Sequence, residues 1–329
     1  MNLKVASLFS GLGGMDLGIT GGFEYLGKNY PSNDIEISLA MDFDKATCQI
    51  YNENFNHQCL HKDVTKLNAE DIPPHDVLLG GFPCQSFSVL AQNPPRLGYK
   101  DDRGKLFFEM CRILKYHKPR FFVAENVKGL LSANKKKAFP LIIKEFENAG
   151  YSVKFKVLNS VNFGVPQKRE RVFIVGFKYA KDFENFKFPE PIMTDNFVAL
   201  NSVLDAEDTI AEKYYFTEKA VAGLKATKNF KLMNKGRAQD VNGPSNTVSA
   251  HLSKVSLNST DPVLCLNDRY RMYTPREVAR IQSFPERFKL TGSKTLNYKA
   301  LGNAVSPVVM WHLTQELKKV ISLHNTEND

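Results

Sequence analysis

One cysteine among the 329 residues stands where its side chain can be displayed to a reactant. Cys84 follows the apolar run Val77-Leu78-Leu79 and lies within Gly80-Gly81-Phe82-Pro83-Cys84-Gln85-Ser86-Phe87-Ser88. The run reads as a short buried strand, and two glycines and a proline end it in a turn. A thiol at the C-terminal end of an α/β strand sits where open parallel sheets bind ligands. Its chemistry there is nucleophilic attack on an electrophilic carbon. A lone cysteine more often serves as a small buried hydrophobe, so the neighbouring motifs have to decide.

Three further side chains offer partners for a nucleophile. Glu125 ends the run Phe121-Phe122-Val123-Ala124, which reads as a strand whose tip is expected to face the same crevice as Cys84. Partial burial would raise its pKa and suit it to proton donation near neutral pH; taken alone, it serves equally as a cap or an ion-pair partner. Arg169 and Arg171 are two apart in Gln167-Lys168-Arg169-Glu170-Arg171, so in an extended segment they face one side. They suit a carbonyl or phosphate, or an ion pair with Glu170.

A second constellation suits a bound cofactor. Val5 to Phe9 reads as a first strand, and Ser10-Gly11-Leu12-Gly13-Gly14-Met15-Asp16 as a glycine-rich turn into a helix. Such a turn lets backbone approach a ligand and aims helix N-terminal amides at it. The spacing departs from the GxGxxG of nicotinamide sites, and a dinucleotide site, an S-adenosylmethionine site and a plain tight turn all stay open. The second strand, Ile35 to Ala40, ends in Met41-Asp42-Phe43-Asp44, which places an acid to accept from ribose hydroxyls. Asp44 can cap the next helix while Asp42 binds. Asp63 is a further strand-end acid.

These residues require a scaffold of alternating strands and helices, which through residue 130 indicates a doubly wound α/β domain. The expected helices include 46–55 and 104–118, the latter burying Leu106, Phe107, Met110, Ile113 and Leu114, with Cys111 as core. The polar segment 86–103, with Pro94, Pro95 and Gly98, is expected to be a functional loop of the lid type. Lys135 to Lys137 reads as a solvated helix start and Tyr151 to Leu158 as a strand. From Pro189 to residue 268 the strand–helix rhythm gives way to Pro, Asn, Ser, Thr and Lys, which predicts a small loop-rich second domain. Its Lys225, Lys228, Lys231, Lys235, Arg237 and Lys254 suit phosphate and base-edge contacts, or an ordinary solvated insertion. Thr274-Pro275-Arg276-Glu277 is a capping box with proline at the first helical position, and a last helix runs from Val308 to Leu323.

Composition narrows the classes. A hydrophobic content of 43% supports an ordered core, and a net charge of +9 permits a polyanionic partner such as nucleic acid. The five cysteines are scattered without a CxxC pair, which argues against a disulfide framework and a zinc site. No apolar run reaches a membrane span and no secretory pattern opens the chain, so a cytoplasmic protein is expected.

Taken in order, the segments 9–14, 81–88, 125–127, 167–172, Arg276-Glu277-Val278-Ala279-Arg280-Ile281-Gln282 and Gly302-Asn303-Ala304-Val305 resemble the bacterial DNA (cytosine-5) methyltransferases of restriction–modification systems. The resemblance spans nearly the whole chain except 189–268, where that family keeps its variable target-recognition domain. It implies an S-adenosylmethionine-dependent Rossmann-like catalytic domain, 1–188 plus 269–329, with a target-recognition domain at 189–268. It also implies that Cys84 attacks C6 of a cytosine flipped from duplex DNA, that Glu125 protonates or hydrogen-bonds N3, and that Arg169 and Arg171 support the pocket, with Arg171 the contact to O2. Phe9, Gly11, Leu12, Gly13, Asp42, Phe43, Asp63, Val64, Asn303 and Ala304 match cofactor-binding positions, Asp42 for the ribose and Asp63 for the adenine. Double-stranded DNA is the implied partner, a restriction endonuclease acting on the same site an implied companion, and a monomer the expected state. The chain departs from the family pattern at Asp42 (usually Glu), Lys62 (usually Gly), Val278 (usually Cys) and Ser283 (usually Gly). A tRNA methyltransferase on the same scaffold would resemble Pro-Pro-Cys-Gln-Pro-Phe-Thr at the nucleophile, unlike Phe82-Pro83-Cys84-Gln85-Ser86-Phe87-Ser88.

Overall fold

The computed structural model describes residues 3–83, 102–226, 237–254 and 261–325. At its centre is a seven-stranded sheet of β1 (Leu3–Leu8), β2 (Ile35–Asp42), β3 (Cys59–His61), β4 (Val77–Gly80), β5 (Phe121–Val127), β6 (Ser152–Asn159) and β7 (Glu170–Phe177). Their spatial order is β3-β2-β1-β4-β5-β7-β6. The first five run parallel, while β7 is antiparallel to both β5 and β6. The chain therefore builds outward from β1 to β3, returns to the centre and builds the other way from β4. The reversal between β1 and β4 opens a crevice at the strand C-termini, where doubly wound sheets bind ligands.

Both faces of the sheet are covered, which is why β4 and most of β5 read as unbroken apolar runs. Val77, Leu79 and Val123 pack into one core with helices α1 (Gly14–Thr20) and α2 (Lys45–Asn52). Leu78, Phe122 and Ala124 pack into the other with α3 (Asp102–His117) and α4 (Ala138–Asn148). Phe107, Met110, Cys111, Ile113 and Leu114 of α3 are buried as expected, whereas Leu106, at its first turns, is only partly buried. β6 is the outer strand and keeps Phe155 half exposed. Lys135 and Lys136 are not yet helical: with Asn134 they adopt positive φ, and α4 begins only at Ala138.

After the short α5 (Ala180–Asn185) the chain enters 3-10 turns and α6 (Glu218–Lys225). Ser245 and Asn246 then return to pair in parallel with Gln167 and Lys168. A hairpin of Leu264–Leu266 with Arg269–Arg271 straddles the expected 268/269 boundary. The chain ends in α7 (Pro275–Ile281), α8 (Lys294–Asn303) and α9 (Pro307–Asn325), which cover the α1 face. Thr274 accepts from Glu277 N and the Glu277 side chain accepts from Thr274 N, so the predicted capping box forms.

Candidate active site

Parallel pairing of β4 with β5 sets Gly80 beside Ala124, so the turn leaving β4 runs beside Glu125. A Cβ on Gly81 would stand 3.8 Å from Glu125 Oε2. Asn126 Nδ2 donates to the Phe82 carbonyl at 2.8 Å, and the Phe82 ring lies edge-on to Phe107 at 5.3 Å. The turn is thereby pinned to the end of β5 from below and beside. Cys84, which follows Pro83 in the chain, lies outside the described residues, as does the expected loop through Asp101; Asp102 and Arg103 already belong to α3.

Glu125 is 8% exposed, and Arg171 from antiparallel β7 reaches it, Nε to Oε1, at 3.1 Å. Burial raises the Glu125 pKa, and the Arg171 and Arg169 charges oppose that shift without reversing it. The result is a carboxyl group with raised proton affinity, held in one orientation by a guanidinium. Glu170, the alternative partner for the arginines, instead binds Lys128 Nζ at 2.8 Å on the surface.

Arg169 and Arg171 part company. Arg169 is 2% exposed and donates Nη1 to Val248 O (3.1 Å) and Nη2 to Gly302 O and Ala304 O (both 2.9 Å). It is a three-way clamp joining the β7 entry, the 248 segment and the end of α8. Its neighbour Gln167 does similar work: Nε2 donates to Gln282 Oε1 at 2.9 Å, and Oε1 accepts from Val248 N at 2.9 Å. No local pattern marks such contacts, because partners lie 79 to 135 residues away.

Across the crevice, the loop after β1 is shaped by backbone. Phe9, Gly11 and Gly13 adopt φ of 56°, 55° and 78°. Glycine tolerates these values and Phe9 holds one against its preference. Ser10 N donates to Met41 O at 2.9 Å, and Ser10 Oγ accepts from Met41 N at 3.1 Å. Gly11 N donates to Asp42 Oδ2 and Asp44 N to Asp42 Oδ1, both at 2.9 Å. Asp42 thus ties the glycine loop to the end of β2, and each oxygen keeps room for a second donor. Asp44 caps α2 through Ala46 N and Thr47 N and binds Lys299 Nζ at 2.8 Å. Asp44 takes the capping role that the sequence offers it, while Asp42 binds the backbone of the glycine loop.

Phe43 is 74% exposed and presents a bare aromatic face beside this loop. Asp63 caps a 3-10 turn through Thr65 N at 3.0 Å, with Val64 buried behind it. Leu12 is core, so only its backbone is available to a ligand. Asn303 is exposed at the end of α8, followed by buried Ala304. A Cβ on Gly14 would lie 2.1 Å from Val305 O, so the 302–305 segment presses directly on the glycine loop. The donor set fits S-adenosylmethionine: a stacking face for a purine, carboxylates for hydroxyl and amine donors, and close backbone.

Beneath the loop runs a chain the sequence did not signal. Ser7 Oγ and Tyr51 Oη each donate to the fully buried Asp16 carboxylate at 2.6 Å, and Tyr51 Oη contacts His57 Nε2 at 2.6 Å. Burial raises Asp16 to about 6 despite those two donors. His57 borders a cleft of about 710 Å³ at the N-terminal end of β2, lined also by Glu36, Arg287 and Lys289. In the loop-rich segment, Lys225 and Lys254 are exposed, while Arg237 is buried and donates to Asp261 O, so it is unsuited to base-edge contact. Lys228, Lys231 and Lys235 lie outside the described residues.

A family model for C-5 cytosine-specific DNA methylase matches residues 3–319. The Type II methyltransferase M.FnuDI of Fusobacterium nucleatum is 35% identical over 349 residues, covering 97% of this chain and 95% of the relative. The Type II methyltransferase M1.ScrFI of Lactococcus lactis subsp. cremoris is 34% identical over 326 residues, covering 97% and 78%. Among solved structures, the S. pombe Dnmt2 methyltransferase superposes with a TM-score of 0.76 at 20% identity, covering 97% of this chain and 99% of that one. That last likeness speaks to the fold alone.

Proposed function

The chain belongs to the C-5 cytosine-specific DNA methylase family and acts as a DNA (cytosine-5) methyltransferase; we propose that it does so with Cys84 as nucleophile, Glu125 as the N3 partner and S-adenosylmethionine as methyl donor. The observation carrying this reading is the buried Glu125, oriented by Arg171 and set beside the Gly81–Pro83 turn at the sheet's switch point. The Cys84 thiolate adds to C6 of a flipped cytosine. Glu125, whose proton affinity burial raises, donates to N3 so that negative charge does not accumulate on the ring. C5 thereby becomes the nucleophilic carbon, and S-adenosylmethionine, when bound, supplies an electrophilic methyl group. A base removes the C5 proton, the N3 proton returns to Glu125, and departure of Cys84 from C6 restores the aromatic ring and the thiolate.

Arg171 holds Glu125 and contacts the cytosine O2. Arg169 acts through the segments it clamps and touches no substrate. Phe9, Gly11, Leu12, Gly13, Asp42, Phe43, Asp63, Val64, Asn303 and Ala304 form the cofactor site, with Phe43 stacking on the adenine. Residues 189–268 read the DNA target, and 1–188 with 269–329 form the catalytic domain. The enzyme works as a monomer on duplex DNA and protects host sites from a restriction endonuclease of the same specificity, as in the Type II systems of its relatives. The test is bisulfite sequencing of plasmid from a methylation-free host expressing the chain or its Cys84→Ala variant. One short motif protected only by the wild type is expected. Protection by both variants would remove Cys84 from the mechanism, and protection by neither would redirect the search to labelled methyl transfer onto tRNA.

A further inference from the structure

Two buried thiols lie in contact directly behind the cofactor side of the site. Cys48, on the first turns of α2, is 3% exposed, and Cys59, on β3, is 5% exposed. Their sulfurs are 3.5 Å apart, with the Cys59 S–H directed at Cys48 Sγ. Cys48 Sγ donates in turn to the main-chain carbonyl of Asp42 at 3.6 Å. A relay Cys59–Cys48–Asp42 therefore ends on the residue whose carboxylate grips Gly11 N at 2.9 Å. Closing the sulfur gap to a disulfide bond of about 2.05 Å needs a movement on the order of 1.5 Å.

We propose that Cys48 and Cys59 are a modification site, a dithiol that a peroxide oxidises to an intramolecular disulfide, and that this bond weakens cofactor binding through Asp42. The Cys48 thiolate attacks the O–O bond, giving a sulfenic acid and releasing one oxygen as water. The Cys59 sulfur then displaces the sulfenic hydroxyl as a second water. Two thiols and one hydrogen peroxide become one disulfide and two waters. The hydrogen bond from Cys59 lowers the Cys48 thiol pKa and raises that of Cys59, which assigns Cys48 the attacking role. Access comes from the edge of the sheet: β3 is a three-residue outer strand, paired only through Ala40 to Asp42, and short edge strands open at low cost. Cys111 makes a contrast, lying deep in the other core with its thiol pushed up to about 12.

Oxidation removes both S–H donors, so the Asp42 carbonyl loses the Cys48 bond while α2 is drawn toward β3. The effect on binding rests on the assignment of Asp42 to the cofactor site; the dithiol itself does not. The experiment uses the full chain carrying Cys84→Ala, so that the nucleophile cannot react, treated with hydrogen peroxide and then alkylated. Expected are a mass loss of two hydrogens, a linked Cys48–Cys59 peptide, and at least a tenfold rise in the S-adenosylmethionine Kd by calorimetry, reversed by dithiothreitol. Adding Cys48→Ala should leave the Kd insensitive to peroxide. Alkylation of both thiols after treatment overturns the dithiol. A disulfide that leaves Kd unchanged overturns the coupling. Untreated protein that binds no S-adenosylmethionine overturns the cofactor assignment instead, while the mass measurement still decides the dithiol.

Discussion

The two walls of the crevice, facing each other across β1 and β4, are made of different materials. On the β1–β2 wall the shape is backbone: positive φ at Phe9, Gly11 and Gly13, with amide bonds to Asp42 and Ser10. On the β4–β5 wall it is side-chain charge: Glu125 against Arg171, with Asn126 bracing the turn. A backbone cradle tolerates changes of side chain but not of space, whereas a buried charge pair tolerates changes of space but not of charge. Substitutions should therefore separate binding from turnover.

The largest expected effect is on the charged wall. Glu125→Gln keeps the volume and removes the proton donor, so turnover should fall by about 10²- to 10³-fold while S-adenosylmethionine affinity stays within about twofold. Single-turnover methyl transfer alongside calorimetry reads both, and a parallel fall in affinity would break the division between the walls.

A second effect concerns the chain beneath the cradle. Asp16 has a folded-state pKa of about 6, raised above its unfolded value of 3.8 by burial. A raised carboxyl contributes stability that is complete below pH 4 and lost as the pH rises through 6. Two pKa units correspond to about 3 kcal/mol. Asp16→Asn should flatten that part of the stability curve, so urea melts at pH 4.5 and 7.5 should differ less for the variant than for the wild type. An unchanged difference would show that Asp16 is ionised throughout.

The smallest effect separates the two arginines. Arg169→Lys loses the fork that reaches three carbonyls, at a cost to stability of about 2 kcal/mol. Arg171→Lys should leave the denaturation midpoint nearly unchanged and slow methyl transfer. Equal loss of stability in the two variants would mean that Arg171 is part of the same clamp.

Much of this site was legible in the chain because its residues sit at strand ends, and strand ends are marked by short-range signals. The glycine turn after Phe9, the Asp44 cap and the Thr274 capping box are signalled by neighbours within a few residues. Glu277 shows where that reading stops. As a cap it is local, yet it is also fully buried and pairs with Arg271 Nη1 at 2.8 Å. That ion pair has Glu207 as a second partner, 2.7 Å from Arg271 Nη2, brought from the loop-rich segment by folding. Arg169 and Arg171 likewise share a spacing of two, but the chain leaves regular pairing between Lys168 and Glu170, so alternation does not carry across. The Ser7–Asp16–Tyr51–His57 chain and the Cys48–Cys59 contact unite elements whose proximity follows only from the strand order.

The first and last helices also bear on how the protein is made. α9 lies on α1 so closely that a Cβ on Gly18 would stand 2.5 Å from Met310 Cβ and 2.6 Å from Pro307 O. Synthesis delivers α1 long before α9, and domains otherwise fold from the N-terminus as they emerge. The glycine loop of a nascent chain therefore lacks its support until α9 has emerged. A product terminated before α9 carries the glycine loop without that support.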